Sequence, residues 1–269
     1  MPAQLQYRRD TAANWTASNP VLFEGELGYE TDTGKFKIGA QGLGWNSLPY
    51  FNYTASTYTY TNTVIYLTSG SPWTLPAAIQ KTGAIFKIVL VGGGGQGGGT
   101  PATAGHVGNG GGSGGVVIGT YTYVSGVNTL TFTIGAGGSG AAANATGTAG
   151  GASTCTYNGV TFTANGGSGG ASSSTVNGGG AGGTASGGTL NIAGWKGDTG
   201  GVNTATMSYV GKGADTPLGY GAGGVKSGAS GTGQAATNYG AGGSGGTNAA
   251  TLTARAGGVG TGGIIQIIY

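Results

Sequence analysis

The sequence predicts a mostly β fold: an N-terminal β module followed by a β framework that carries long glycine-rich segments. Three observations carry that reading. Apolar runs such as Ile85–Val91 and Ile264–Tyr269 have the length and β-branched content of buried strands. Asn158-Gly159 joins two short runs rich in Thr, Val and Phe, and Asn-Gly is the strongest short hairpin signal. Glycine supplies 66 of 269 residues, against an average share of about 7%, and it recurs as runs between the apolar segments.

Glycine on this scale can mean collagen, disorder or close-packed backbone. Collagen needs glycine at every third position and abundant proline, whereas the spacing here is irregular and there are 7 prolines. Disorder goes with low hydrophobicity and high net charge, and this chain is 37% hydrophobic with a net charge of +3. Only 6% of residues are charged, a composition foreign to ordinary cytosolic enzymes. The basic residues form no cluster beyond Arg8-Arg9, so no surface tracks a phosphate backbone and no nucleic-acid partner is expected. The single cysteine, Cys155, excludes an intrachain disulfide and a cysteine metal site. No leader is visible in residues 1–30 and no apolar run nears the ~20 residues that cross a bilayer; if the protein acts outside a cell, lysis is the expected route.

Taken in order, Leu5–Arg9 reads as a short strand and Asp10 as the N-cap of a helix over Thr11–Ser18, limited by Pro20. Tyr29–Thr31 and Lys35–Ile38 flank Asp32-Thr33-Gly34, a hairpin whose turn glycine takes positive φ. Phe36 and Ile38 share one face, Lys35 and Lys37 the other. Five of the seven carboxylates lie in the first 32 residues. This change in composition divides the chain into a module at 1–52, a Thr/Tyr-rich connector at 53–82 and a glycine-rich domain at 83–269. So few apolar residues in the first module predict completion by other chains.

The runs Gln6-Tyr7-Arg8-Arg9-Asp10-Thr11-Ala12-Ala13-Asn14-Trp15, Asn19-Pro20-Val21-Leu22, Gly25–Gly39 and Trp45-Asn46-Ser47-Leu48-Pro49-Tyr50 closely resemble the N-terminal module of phage tail-fibre proteins, and are similar to the N-terminal domain of the major tropism determinant. The resemblance covers about a fifth of the chain and implies an intertwined homotrimeric β-prism. Ala40–Gly44 departs from the Asp-Gly turn more usual there.

In the glycine-rich domain, strands are expected at Ala84–Val91, Val116–Tyr123, Asn128–Ile134, Ser153–Tyr157, Val160–Ala164 and Gly263–Tyr269, the last pairing back near Ala84–Val91. The glycine runs are excursions from this framework. Without Cβ atoms, polyproline-II-like segments can approach to hydrogen-bonding distance, so a bundle of polyglycine-II helices is expected. This strand–polyglycine–strand pattern, ending in Gly262-Gly263-Ile264-Ile265-Gln266-Ile267-Ile268-Tyr269, resembles the glycine-rich domains of phage tail proteins and the tip adhesins of T-even-like phages. There, loops between glycine helices contact the host receptor.

Catalytic chemistry has little to build on. Glycoside cleavage needs two carboxylates, and the glycine-rich domain has only Asp198 and Asp215, for which turn positions are the plainer reading. His106 is the only histidine, so no triad or histidine metal site is expected. Cys155 reads as a buried structural thiol. Gly92–Gly97 satisfies G-x-G-x-x-G, but no helix or Gly-Lys-Ser/Thr follows. No enzymatic activity, metal or cofactor is predicted.

The informative insert is Thr184–Asp215. Its Trp195, Lys196, Asp198, Tyr209 and Lys212 are the candidate receptor-binding residues, because aromatic rings beside polar groups suit sugar or protein surfaces. The competing reading has Trp195 and Tyr209 merely capping the glycine bundle. Tyr220 and Tyr239, each before Gly-Ala-Gly-Gly, are expected to pack over glycine helices. The expected function is virion attachment through a tail fibre, with a homotrimer, other virion tail proteins and a host surface polysaccharide or outer-membrane protein as partners. The alternatives are a structural fibre subunit, a tailspike-like depolymerase and an ice-binding glycine-helix protein.

Overall fold

In the first part of the chain, Arg8–Asp10 (β1) lies parallel to Leu27–Glu30 (β2), which pairs antiparallel with Phe36–Ile38 (β3). The computed structural model describes residues 7–51, 63–172, 178–204, 207–223, 226–227, 230–248 and 253–269. Two compact units divide it, Met1–Tyr60 and Thr61–Tyr269. The predicted strand start at Leu5 and Gln6 lies outside the described residues. The helix (α1) runs Ala12–Ser18, and its cap is Thr11, whose side chain accepts from the Asn14 N–H. Asp10 is therefore not the cap but its support: its Oδ1 accepts from the Thr11 N–H at 2.8 Å and from the Asn14 side chain at 2.7 Å.

Trp15 and Trp45 stack at 4.2 Å between centroids, and with Leu22 and Leu48 they form the small core of this unit. The hairpin turn matches expectation, with Gly34 at φ +70°. On β3 the lysine face points inward. Lys37 is buried, donates to the Trp45 carbonyl at 2.9 Å and lies over the Trp45 and Tyr50 rings. Glu30, also buried, accepts from the Tyr50 hydroxyl at 2.7 Å and from Thr33. Burial pulls the Lys37 pKa down, while the bond to Glu30 pushes the Tyr50 pKa up. A cation enters so small an interior because a carbonyl and two ring faces meet it there.

The second unit is a sandwich whose strands continue into glycine. In chain order its strands are Val64–Leu67 (β4), Trp73–Thr74 (β5), Ile85–Val91 (β6), His106–Val107 (β7), Val116–Thr122 (β8), Thr129–Thr133 (β9), Ser153–Tyr157 (β10), Val160–Ala164 (β11), Ala185–Ser186 (β12), Leu190–Ile192 (β13), Gly201–Thr204 (β14), Met207–Tyr209 (β15), Gly219–Tyr220 (β16), Lys226–Ser227 (β17), Thr237–Asn238 (β18), Thr247–Asn248 (β19) and Ile264–Ile268 (β20). One sheet has the order β13-β8-β6-β20-β4, the other β12-β11-β10-β9-β5. The expected return of the last strand is present, with Ile265 opposite Leu90 and Ile267 opposite Ile88. The hairpin at Asn158-Gly159 pairs Cys155 with Phe162, and both turn residues take positive φ. Of the segment read as a connector, residues 63–82 are built into this unit: β4 is an edge strand on β20, and Leu75 and Ile79 enter the core.

Between the sheets lie Phe86, Ile88, Leu90, Val117, Leu130, Phe132, Cys155, Phe162, Ile265 and Ile267. Val89, Val91, Val116 and Ile264, on the other side of the first sheet, pack with Leu218 and Tyr239. Burial on both faces explains why β6 and β20 read as continuous apolar runs rather than alternating ones. The second sheet alternates instead: Leu130 and Phe132 point in while Thr129, Thr131 and Thr133 point to solvent.

The glycine segments form a laterally bonded bundle with a period of three. The N–H groups of Gly92, Gly95 and Gly98 donate to Gly115, Gly112 and Asn109. Those of Gly93, Gln96 and Gly99 donate to Gly151, Thr148 and Ala145, and those of Gly94, Gly97 and Thr100 to Thr261, Gly258 and Arg255, all at 2.7–3.0 Å. Each successive residue addresses a different neighbour, as a left-handed helix with three residues per turn requires. The carbonyls of Gly93, Gly94 and Gly95 accept from Gly167, Gly138 and Gly243, so further segments surround the same one. Such approach demands glycine: a Cβ on Gly97 would overlap the Ser244 carbonyl, and one on Gly111 the Gly95 carbonyl. The bundle thus satisfies its main chain without a sheet.

Candidate functional site

The bundle begins where the framework strands end. Val91 leads into Gly92, Gly115 into Val116, Ala164 into Asn165 and Gly263 into Ile264. Its other end is marked by Thr100, Gly108, Ala171, Gly246 and Arg255, which bond to one another or to adjacent segments. The insert 184–215 runs along this bundle. After β12 and β13, residues 194–198 lie beside Gly110–Ser113: the Ser113 N–H donates to the Trp195 carbonyl at 3.0 Å and the Gly110 N–H to the Asp198 carbonyl at 2.9 Å. The Ser113 hydroxyl accepts from the Trp195 N–H at 2.8 Å.

Trp195 and Asp198 are therefore three residues apart on a threefold segment and project to the same side, about 9 Å apart along its axis. Trp195 is 59% exposed, and Asp198 and Lys196 are exposed too. The Lys196 ammonium lies against Gly178, where a side chain would collide with it. On the next segment, the Asp198 N–H donates to the Lys212 carbonyl at 2.8 Å, and Tyr209 pairs with Gly201 across β14 and β15. Tyr209 is 42% exposed. The five candidates thus lie on neighbouring segments linked through the main chain, with Lys196 directed to Gly178 and Lys212 to Asp215. A cavity of ≈ 240 Å³ lies elsewhere, against the framework, lined by Tyr66, Leu218, Asn238 and Tyr239.

Electrostatically, Lys212 is committed to Asp215, at 2.7 Å, and the other Asp215 oxygen accepts from the Gly221 N–H at 2.6 Å. Asp215 is thereby a structural clasp. His106 Nδ1 contacts the Ala104 carbonyl at 3.2 Å. Cys155 is wholly buried, and burial pushes its thiol up to about 12. The main-chain N–H groups of Gly92–Gly97 are all bonded within the bundle, which removes the donors a phosphate loop would need.

Tyr239 packs against the framework sheet rather than over a glycine helix alone. Tyr220 does neither, at 71% exposure. Sequence reasoning missed it because the flanking Gly-Ala-Gly-Gly motif is the same at both tyrosines and only the neighbouring sheet tells them apart.

Comparison with known proteins gives two family matches. Residues 5–40 match the major tropism determinant N-terminal domain, and residues 68–269 match the glycine-rich domain family. A stretch of 50 residues is 40% identical to a protein of Streptococcus pyogenes phage H4489A described as a hyaluronoglucosaminidase. That stretch is 19% of this chain and spans only 14% of the phage protein. With most of its length matched, this chain belongs to the glycine-rich domain family and joins that domain to a tropism-determinant module, a pairing of phage tail-related domains.

Proposed function

We propose that the protein is a tail-fibre component of a virion that attaches it to the host surface, without catalysing a reaction. The observation that carries the reading is the pairing itself: a tropism-determinant module on a domain whose glycine segments are densely hydrogen-bonded to one another and which leaves Trp195 and Tyr209 exposed. Such bonding matters because contacts held by a stiff scaffold lose little ordering entropy on binding. Trp195, Lys196, Asp198, Tyr209 and Lys212 are the proposed contact residues, and a surface polysaccharide or outer-membrane protein is the proposed receptor. The first unit supports a homotrimer, since Phe23 at 83% exposure and Val21 at 57% leave apolar area uncovered in the single chain. Three weak copies per fibre then bind as one through effective concentration.

The test is adsorption of the purified chain to host cells and its block of phage adsorption. Wild type should bind, and Trp195→Ala should weaken binding at least tenfold without lowering thermal stability. Absence of wild-type binding overturns the attachment reading and favours a structural fibre role. The hyaluronoglucosaminidase likeness supplies a second reading, depolymerisation. Release of reducing ends from capsule or hyaluronan would establish it and remove the non-catalytic proposal.

A further inference from the structure

Among the described residues, three side-chain atoms are buried without a hydrogen-bond partner: Thr100 Oγ1, Thr247 Oγ1 and Arg255 Nε. Two of them share one neighbourhood. Thr100 and Arg255 stand opposite each other in an antiparallel bridge and exchange both main-chain bonds, at 2.7 and 3.1 Å. Residues paired in this way send their side chains to the same side of the ladder. Gly246 backs onto the same arginine, since a Cβ built there would sit 3.4 Å from Arg255 Cβ, whereas its neighbour Thr247 turns its side chain towards Gly231. The Gly246 N–H in turn donates to Gly98, two residues before Thr100. The Thr100 hydroxyl and the Arg255 Nε therefore fall together at the end of the bundle away from the sandwich, where the segment carrying Gly246 meets theirs.

Buried polar groups are nearly always satisfied, and the rest of this bundle follows that rule closely. Gln96, equally buried, has both ends of its amide bonded. At the junction the unpartnered groups are an arginine N–H, which can only donate, and the Thr100 hydroxyl, which can donate. No protein carboxylate answers them: the ion pairs among the described residues are Arg8–Glu26 and Lys212–Asp215. Beyond residue 60 the chain carries six lysines and arginines against two aspartates, so the domain as a whole attracts anions.

We propose that Arg255, with Thr100 beside it, forms a subsite for an oxyanion, and that the oxyanion is the carboxylate of an acidic sugar in a surface polysaccharide. Thr100 is fully buried and Arg255 partly exposed, so the arginine is the reachable member of the pair and the Thr100 hydroxyl backs it. Arginine's planar fork suits a carboxylate better than a point charge does. The sugar assignment deepens the attachment reading and rests on it; the oxyanion subsite stands independently.

Calorimetric titration of the full chain tests this, with sodium glucuronate, glucose as the neutral match and sodium sulfate, at constant ionic strength. Glucuronate should bind in the millimolar range and glucose should give no heat. Arg255→Gln should weaken glucuronate binding at least tenfold. Thr100→Val, which only exchanges an unpartnered hydroxyl for a methyl, should weaken binding several-fold while raising the melting temperature, and it carries the test if the arginine variant fails to fold. No heat with any anion, or equal binding by wild type and both variants, overturns the subsite. Sulfate binding as tight as glucuronate overturns the sugar assignment. Host adsorption is measured on the same samples: wild type that binds glucuronate but not cells sinks the attachment reading and leaves the subsite standing.

Discussion

Gln96 turns its side-chain oxygen onto Thr148 across the glycine bundle, accepting from the Thr148 hydroxyl at 3.2 Å and from its N–H at 3.4 Å. The same oxygen accepts from the Ala141 N–H at 3.0 Å, and Nε2 donates to the Gly257 carbonyl at 3.3 Å. Every other residue from 92 to 99 is glycine, so this is the one side chain that its segment extends to its neighbours. Gln96→Leu should cost about 1–3 kcal/mol, because the groups it served stay buried without a partner. Urea unfolding should show a lower midpoint with an unchanged slope; an unchanged midpoint would mean that the amide contributes nothing.

Glycine is required unequally along the bundle. A Cβ on Gly97 would overlap the Ser244 carbonyl, whereas one on Gly262 would meet nothing closer than 3.4 Å. Gly97→Ala should destabilise by about 3 kcal/mol or more, as overpacking does when only main chain can yield. Gly262→Ala should be neutral or slightly stabilising, since it also restricts the unfolded chain. Equal melting temperatures for the two variants would contradict the observed packing.

Cys155 should be unreactive in the folded protein. It is fully buried, and burial pushes its thiol from 9.0 up to about 12. A thiol reagent at pH 8 should label it only on unfolding. The linkage has a definite sign: the unfolded chain loses the proton first, so stability falls as pH rises from about 9 towards 12, by at most about 1.4 kcal/mol per pH unit. Tyr121, also pushed up to about 12 by burial, adds a fall of the same sign. Comparison with Cys155→Ala isolates the cysteine's share, and parallel pH profiles for the two proteins would remove it.

In the first unit, Lys37→Met keeps the packing volume but removes the ammonium from the Trp45 carbonyl and from the faces of Trp45 and Tyr50. The loss should be about 1–3 kcal/mol, read as a lower melting temperature for residues 1–60 in the full chain by tryptophan fluorescence. A rise in melting temperature would show that burying this cation costs more than its contacts return.

Much of the architecture was legible in residue patterns. The strands β6, β8, β9, β10, β11 and β20 lie within a residue or two of the apolar runs that predict them, because burial in a sandwich imposes a recognisable length and composition. The hairpin at Asn158-Gly159 follows from the two positive φ angles that this pair accepts. The short strands from Gly201 to Asn248 were not legible. Two- to four-residue pairings carry no periodicity, and their partners are set by where the bundle brings the segments together.

Taken by itself, the sequence determined that the chain is β-rich, that its glycine segments pack as backbone against backbone, and that its N-terminal module is of the tropism-determinant kind. The first two conclusions follow from local properties, namely side-chain alternation, turn chemistry and the absence of Cβ atoms; the third rests on the resemblance carried by the runs from Gln6 to Tyr50. Only the tertiary structure decided that Lys37 rather than Phe36 faces inward, that Asp215 is bound to Lys212, and that Trp195 and Asp198 share one edge of a threefold helix. It alone placed Thr100 and Arg255, 155 positions apart in the chain, at one junction. Each of these depends on which segments lie side by side, and glycine runs that look alike in sequence do not encode their neighbours. The order arises when the framework strands anchor both ends of each excursion and the threefold hydrogen bonding closes between them.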